Sequence, residues 1–195
     1  MKNIIAITIL IIIFSCSKEN ESIELEPKGL IEATINGNPY SDLFPDSTYI
    51  IQVGYLEGVQ YYDCQGYKLA SIGVAFREKN KPKNLVSLIT MVKSPIEVLE
   101  FNITKQYHFL SYDVCKNYPT SGLSFVHDLL SSPEYFVDST RNNIFRISKI
   151  TATTIEGSFD IKFIEKGIIA GYREPSTFSS RDTVHFICDK FVAIR

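Results

Sequence analysis

The stretch Ile155-Glu156-Gly157-Ser158-Phe159-Asp160-Ile161-Lys162-Phe163 repeats its character at every second residue. Successive side chains of a β-strand point to opposite faces, so this period puts Ile155, Phe159, Ile161 and Phe163 on one apolar face. Glu156, Ser158, Asp160 and Lys162 then make the opposite, wettable face. Gly157 falls in the apolar row, where a missing side chain leaves room for a close neighbour or a bulge. Just upstream, Phe145 and Ile147 alternate with Arg146 and Ser148, and Thr151 to Thr154 carries the turn between the two runs. Downstream, Val184 to Ile187 and Phe191 to Ile194 are two more apolar runs, expected as a closing hairpin around Asp189-Lys190.

The same period governs the chain from Leu30 onward. Ile31, Ala33 and Ile35 point one way and Glu32 and Thr34 the other, and Asn36-Gly37, a pair that tolerates the positive φ angles of a tight hairpin, follows at once. Tyr49, Ile51, Val53 and Tyr55 form a second set. Ala70, Ile72, Val74 and Phe76 form a third, ended by the charged segment Arg77 to Lys83. Leu85 to Val92 is apolar on both faces, as in a strand covered on both sides. Tyr107 to Tyr112 reads as a short aromatic strand, Asp113 to Ser132 is the least regular part, and Phe125 to Leu130 fits a strand or a helical turn equally well. No stretch sustains helical periodicity. The expected fold is all-β: one antiparallel β-sandwich over residues 30–195, with a small closed barrel as the alternative.

With 195 residues, 45% apolar and 12% aromatic, the chain has enough material for one well-packed domain and is not a disordered sequence. Its net charge of −2 gives no support for a nucleic-acid partner or an electrostatic hold on a membrane.

The N-terminus differs in kind. Met1-Lys2-Asn3 is cationic, Ile4 to Phe14 is an apolar run broken only by the hydroxyl of Thr8, and Ser15-Cys16 ends it. That run is too short for a bilayer span, which needs about twenty residues, and has the length of a signal-peptide core. A small residue followed by cysteine at this point resembles the lipobox of bacterial lipoproteins. The resemblance implies a lipoprotein signal peptide over residues 1–15, removed by cleavage just before Cys16, whose thiol carries the lipid (diacylglyceryl, with palmitate-type chains). Residues 16–29 then form a lipidated, charged tether, with a coil reach on the order of 20 Å. Ser17-Lys18-Glu19-Asn20-Glu21 resembles the Lys-then-acid signal of surface-exposed Bacteroidota lipoproteins, which implies an outer-membrane protein facing outward; a periplasm-facing anchor is the alternative. Ala33 to Tyr40 and Ile155 to Phe159 resemble, at the two ends of the chain, small uncharacterised Bacteroidota lipoproteins with an all-β domain. Those motifs are structural and carry no catalytic residue across.

No metal-binding, nucleophile-elbow, phosphate-loop or Cys-x-x-Cys motif is present in the sequence, so no cofactor, metal or catalytic residue is expected. His108, His127 and His185 are each read as satisfied strand histidines, and Asp42 and Asp46 as turn residues around Pro45. Setting Cys16 aside leaves Cys64, Cys115 and Cys188. Cys64 and Cys115 sit in polar, loop-like sequence and are the expected disulfide in an oxidising compartment, with Cys115–Cys188 the competing pair. Cys188, inside a strand, suits a buried thiol that behaves as a small apolar group. Ser47, Ser139 and Thr183 follow aspartates in a pattern resembling the O-glycosylation acceptor of exported Bacteroidota proteins; turn chemistry accounts for the same residues. Tyr55, Tyr61, Tyr62 and Tyr67, interleaved with amides and acids, form the candidate ligand-binding loop, suited to stacking on a sugar ring. The function expected is a non-catalytic, lipid-anchored module whose partners are the membrane, through its lipid, and a glycan or protein. An enzyme with a site assembled from distant strands, or an inhibitor or immunity lipoprotein, is the alternative.

Overall fold

Alternation becomes strand in the computed structural model, which describes residues 28–57, 63–64, 67–79, 81–106, 119–126, 133–168 and 183–195. The strands are β1 (Leu30–Ile35), β2 (Asn38–Pro39), β3 (Tyr49–Glu57), β4 (Asp63–Cys64), β5 (Tyr67–Glu78), β6 (Lys81–Ser94) and β7 (Leu99–Asn102). They continue with β8 (Lys105–Gln106), β9 (Thr120–Val126), β10 (Pro133–Val137), β11 (Ile144–Ile150), β12 (Thr154–Ile168) and β13 (Thr183–Ile194). A single helical turn, α1 (Tyr40–Leu43), separates β2 from β3. Among the described residues no helix is long and apolar enough to cross a membrane.

The fold is all-β. One mixed sheet runs β2-β1-β13-β3-β5-β6-β9-β10-β12-β11-β7 and returns on itself because β12 also pairs with β13. Two layers face each other across the core, with β1, β13, β12 and β11 on one side and β3, β5, β6 and β9 on the other. Phe76 of β5 and Phe186 of β13 meet across the gap, ring centres 6.3 Å apart, and both belong to one continuous buried cluster. The layering is that of a sandwich, yet its edges are stitched by single pairs, Ile194 with Gly54 and Tyr135 with Leu123. It is therefore not a clean barrel either. β12, of 15 residues, is paired by β11 over its first part and by β10 over its last. The strictly antiparallel expectation fails at β13–β3 and β8–β9, which run parallel.

β12 keeps the expected faces, with Ile155, Phe159, Ile161 and Phe163 buried. Gly157 is required there: a Cβ at this position would lie 2.1 Å from the Arg146 carbonyl oxygen and 2.6 Å from the Phe191 ring. The closing hairpin does not form. β13 runs straight through Asp189-Lys190, which are exposed, while its partners shift register at Glu32/Ala33 and Gly157/Phe159. A bulge of this kind takes up an extra residue, so the inward set passes from Val184, Phe186 and Cys188 to Phe191 and Ala193. Two polar residues inside an alternating run look the same in sequence whether the chain turns or bulges. The charged segment after Phe76 is also tighter than expected, since β5 continues to Glu78 and β6 restarts at Lys81. Asn36-Gly37 makes the expected turn, both φ angles positive, between Ile35 and Asn38.

Lys28 and Gly29, the last two residues of the expected tether, belong to the folded domain. The Lys28 N–H donates to the Ile51 carbonyl at 3.0 Å, and the Lys28 carbonyl accepts from the Val53 N–H at 2.6 Å. Gly29, at φ +80°, fits a gap in which a Cβ would sit 2.5 Å from the Val192 carbonyl oxygen and 2.7 Å from that of Val53. The tether thus enters at the seam between β3 and β13 and helps to close it. This gives the molecule two ends. The entry end holds Lys28, Ile194, Arg195 and the Thr151–Thr154 turn, and the Arg195 N–H donates to the Thr153 carbonyl. The far end holds the Asn36-Gly37 turn, Thr183 and the Asp138-Ser139-Thr140 turn, with the Asn36 side chain donating to the Thr183 carbonyl at 3.2 Å.

Candidate functional site

Outward-facing residues of β12 and β13 meet at the far end, because the pairing sets Lys162 opposite His185. Asp160 lies two residues along β12 on the same face, and the turn after β10 brings in Arg141. His185 Nε2 is 2.6 Å from Asp160 Oδ1, Arg141 Nη2 is 3.0 Å from the same oxygen, and Arg141 Nη1 is 3.3 Å from His185 Nε2. An ionised carboxylate only accepts, so the 2.6 Å contact assigns the hydrogen to Nε2. With its in-plane position filled, that nitrogen does not accept from Arg141. Asp160 therefore receives two donors, and the Arg141 contact with the ring is one of proximity. The three side chains are each about a third exposed, 33%, 42% and 30% for Arg141, Asp160 and His185. At that exposure an ion pair contributes about 1 kcal/mol or less.

Beneath this cluster lies Asn143, fully buried and hydrogen-bonded on every side. Its Nδ2 donates to the carbonyls of Asp138 (2.8 Å) and Arg141 (3.2 Å), and its Oδ1 accepts from the Lys162 N–H at 2.9 Å. Its N–H donates to Asn102 Oδ1 at 3.1 Å, and its carbonyl accepts from the Ile103 N–H at 2.7 Å. One side chain thus fastens the Asp138–Asn143 loop to β12 and fixes where Arg141 stands. Asp138 is buried too; the Thr140 hydroxyl (2.5 Å) and N–H (3.1 Å) both donate to it and hold its carboxyl below the usual aspartate range, helped by Lys162 and Arg141.

An Asp–His pair can orient an imidazole to take a proton from water or a substrate, or to activate a protein hydroxyl or thiol beside it. The Thr140 hydroxyl is turned to Asp138 instead. The arrangement is a mixed-charge surface cluster whose Arg141 is positioned by the buried Asn143. Among the described residues no group of His, Cys, Asp and Glu side chains is arranged to hold a metal ion.

The expected site residues fall in several places. Tyr55 is in β3 and buried in the core at 6% exposure, with the Arg195 guanidinium 5.4 Å from its ring centre, so it does not join a ligand-facing aromatic set. Tyr67 opens β5, with Cys64 of β4 as its strand partner. Tyr61, Tyr62 and Cys115 lie outside the described residues, as do Cys16, His108 and His127. Cys188 is a free, buried thiol pushed up to about 12 by burial. Ser47, Ser139 and Thr183 are all exposed. Ser139 stands in the Asp138 turn, where the aspartate already has a structural role, and Thr183 opens β13. Asp42 and Asp46 are exposed around the Pro45 corner, where the Thr48 and Tyr49 N–H groups donate to the Pro45 carbonyl.

The chain matches no family model, no curated protein and no solved structure. The sequence reading singled out His185 as a satisfied strand histidine and missed its company, since Arg141, Asp160 and His185 are 19 and 25 residues apart in the chain. Outward alternation of Asp160 and Lys162 was the available signal; their neighbour strand was not.

Proposed function

We propose that the mature chain is a lipid-anchored protein of the cell envelope, held in the outer membrane through Cys16 and facing outward, where it serves as a non-catalytic ligand- or partner-binding module. The leader carries this reading: a cationic start, the apolar run Ile4–Phe14, then Ser15-Cys16 and immediately polar sequence. The fold supports it in one respect. A tether leaving at the entry end holds the Arg141–Asp160–His185 surface at the opposite end, clear of the lipid. The test is metabolic labelling with a clickable palmitate analogue, followed by protease treatment of intact cells. Label on the wild type, none on Cys16→Ala, and shaving of the labelled protein are expected. Equal label in both forms overturns the anchor, and full protease protection with label retained overturns the outward orientation.

A further inference from the structure

Among the described residues, the large apolar side chains left exposed are Leu30 (46%), Val98 (62%) and Leu99 (46%). They are far apart in sequence but share one level of the sheet. Leu30 pairs with Val192, three residues before the end of the chain. Leu99 pairs with Ile147, which pairs with Gly157, which pairs with Phe191, next to Val192 on β13. Val98 directly precedes Leu99. All three therefore lie in the entry-end half of the β1-β13-β12-β11-β7 layer, spread across four strand spacings, about 19 Å.

They do not form a patch on one face. Leu30 stands on the outer face opposite Val192, whereas Leu99, opposite the buried Ile147, belongs to the inner face at the sheet's edge. A partner docking flat against the sheet meets one of these faces. A surface approaching the end of the sheet meets both. The chain itself says which surface is near: Cys16 is twelve residues before Lys28, a separation of at most about 40 Å however the chain runs, and Lys28 enters the fold two residues before Leu30. Lys28 and Arg195 are exposed at this same end and suit the headgroup layer.

We infer that the entry-end rim formed by Leu30, Val98 and Leu99 rests against the lipid surface that carries the anchor, so that the domain stands end-on with Arg141, Asp160 and His185 outermost. The inference rests on the proposed lipidation of Cys16. The two chains of a diacylglyceryl group already hold the protein to the membrane, and a few apolar side chains in the interface fix its tilt. Tryptophan prefers this interfacial depth, and the chain has none of its own, so an introduced one reports without background.

Full-length lipidated protein carrying V98W or S139W is reconstituted into phosphatidylethanolamine/phosphatidylglycerol vesicles with brominated acyl chains. Flotation of both variants, with blue-shifted and quenched emission from V98W and unshifted, unquenched emission from S139W, is expected. Adding Leu30→Gln and Leu99→Gln to V98W should relieve the quenching without loss of flotation. Flotation with equal emission from V98W and S139W overturns the end-on contact while leaving the anchor intact. Failure to float, no better than Cys16→Ala, overturns the anchor and the contact with it.

Discussion

Replacing Asn143 with alanine tests whether one buried side chain fastens the far-end loop to the sheet. The substitution deletes three hydrogen bonds: those to the Asp138 and Arg141 carbonyls and that from the Lys162 N–H. A typical protein hydrogen bond contributes about 1 kcal/mol net, and a buried group left without a partner costs about 1–3 kcal/mol. The Asp138 carbonyl bond is fully buried and the other two are part-buried, where water can replace the lost partner. The expected loss is thus roughly 2–4 kcal/mol. Urea denaturation of wild type and Asn143→Ala, followed by circular dichroism, measures it as a lower midpoint at unchanged slope. Asn143→Asp keeps the acceptor for Lys162 but turns a carboxylate oxygen toward two carbonyls, so it should be no more stable than alanine at neutral pH. A loss below about 0.5 kcal/mol for alanine, the range of ordinary surface changes, or an aspartate variant as stable as wild type, would refute the reasoning.

Gly157→Ala places a methyl 2.1 Å from a backbone oxygen of the neighbouring strand, and thermal unfolding should show a loss of roughly 3 kcal/mol or more, at or beyond the usual range for overpacking; wild-type stability would mean that β11 and β12 are not paired as described. The fold favours the neutral Cys188 thiol, so its contribution is complete below the ordinary value of 9.0 and is lost as pH rises toward about 12. Melts between these limits should fall less steeply for Cys188→Ala than for wild type, and parallel slopes would contradict the burial. A peptide map without reduction should recover Cys64 joined to Cys115, closing a loop of about fifty residues that stabilises by about 4 kcal/mol at most; recovery of both as free thiols removes the bond.

The strand content was legible because burial on one side imposes period two, and it is clearest where both faces are pure, as in β12. The path of the sheet was not legible. Nothing local to Val184–Ile194 tells a bulge from a hairpin, since both accept a polar pair, and the choice is made by β1 and β12 on either side. The same limit hid the far-end cluster. Asp160 and Lys162 could be assigned to an outer face, but which strand lies beside them depends on the connection over residues 169–182, whose Gly171, Pro175 and serines mark a break without setting a register. Asn143 was invisible for a different reason: a polar residue in a turn-rich stretch reads as solvated, and only the converging carbonyls make it a buried fastening. Tyr55 went the other way. Its loop company suggested a ligand face, while its place in the Tyr49–Val53 alternation already pointed inward.

Anchoring in the envelope requires that Cys16 be the first residue of the mature protein and that its thiol be acylated. Mass spectrometry of the N-terminal peptide from protein extracted from its native membrane measures both at once. A peptide that begins at Cys16 and carries a diacylglyceryl thioether is expected. A peptide beginning at Met1, or one beginning at or after Cys16 with no lipid on the thiol, would contradict the anchor.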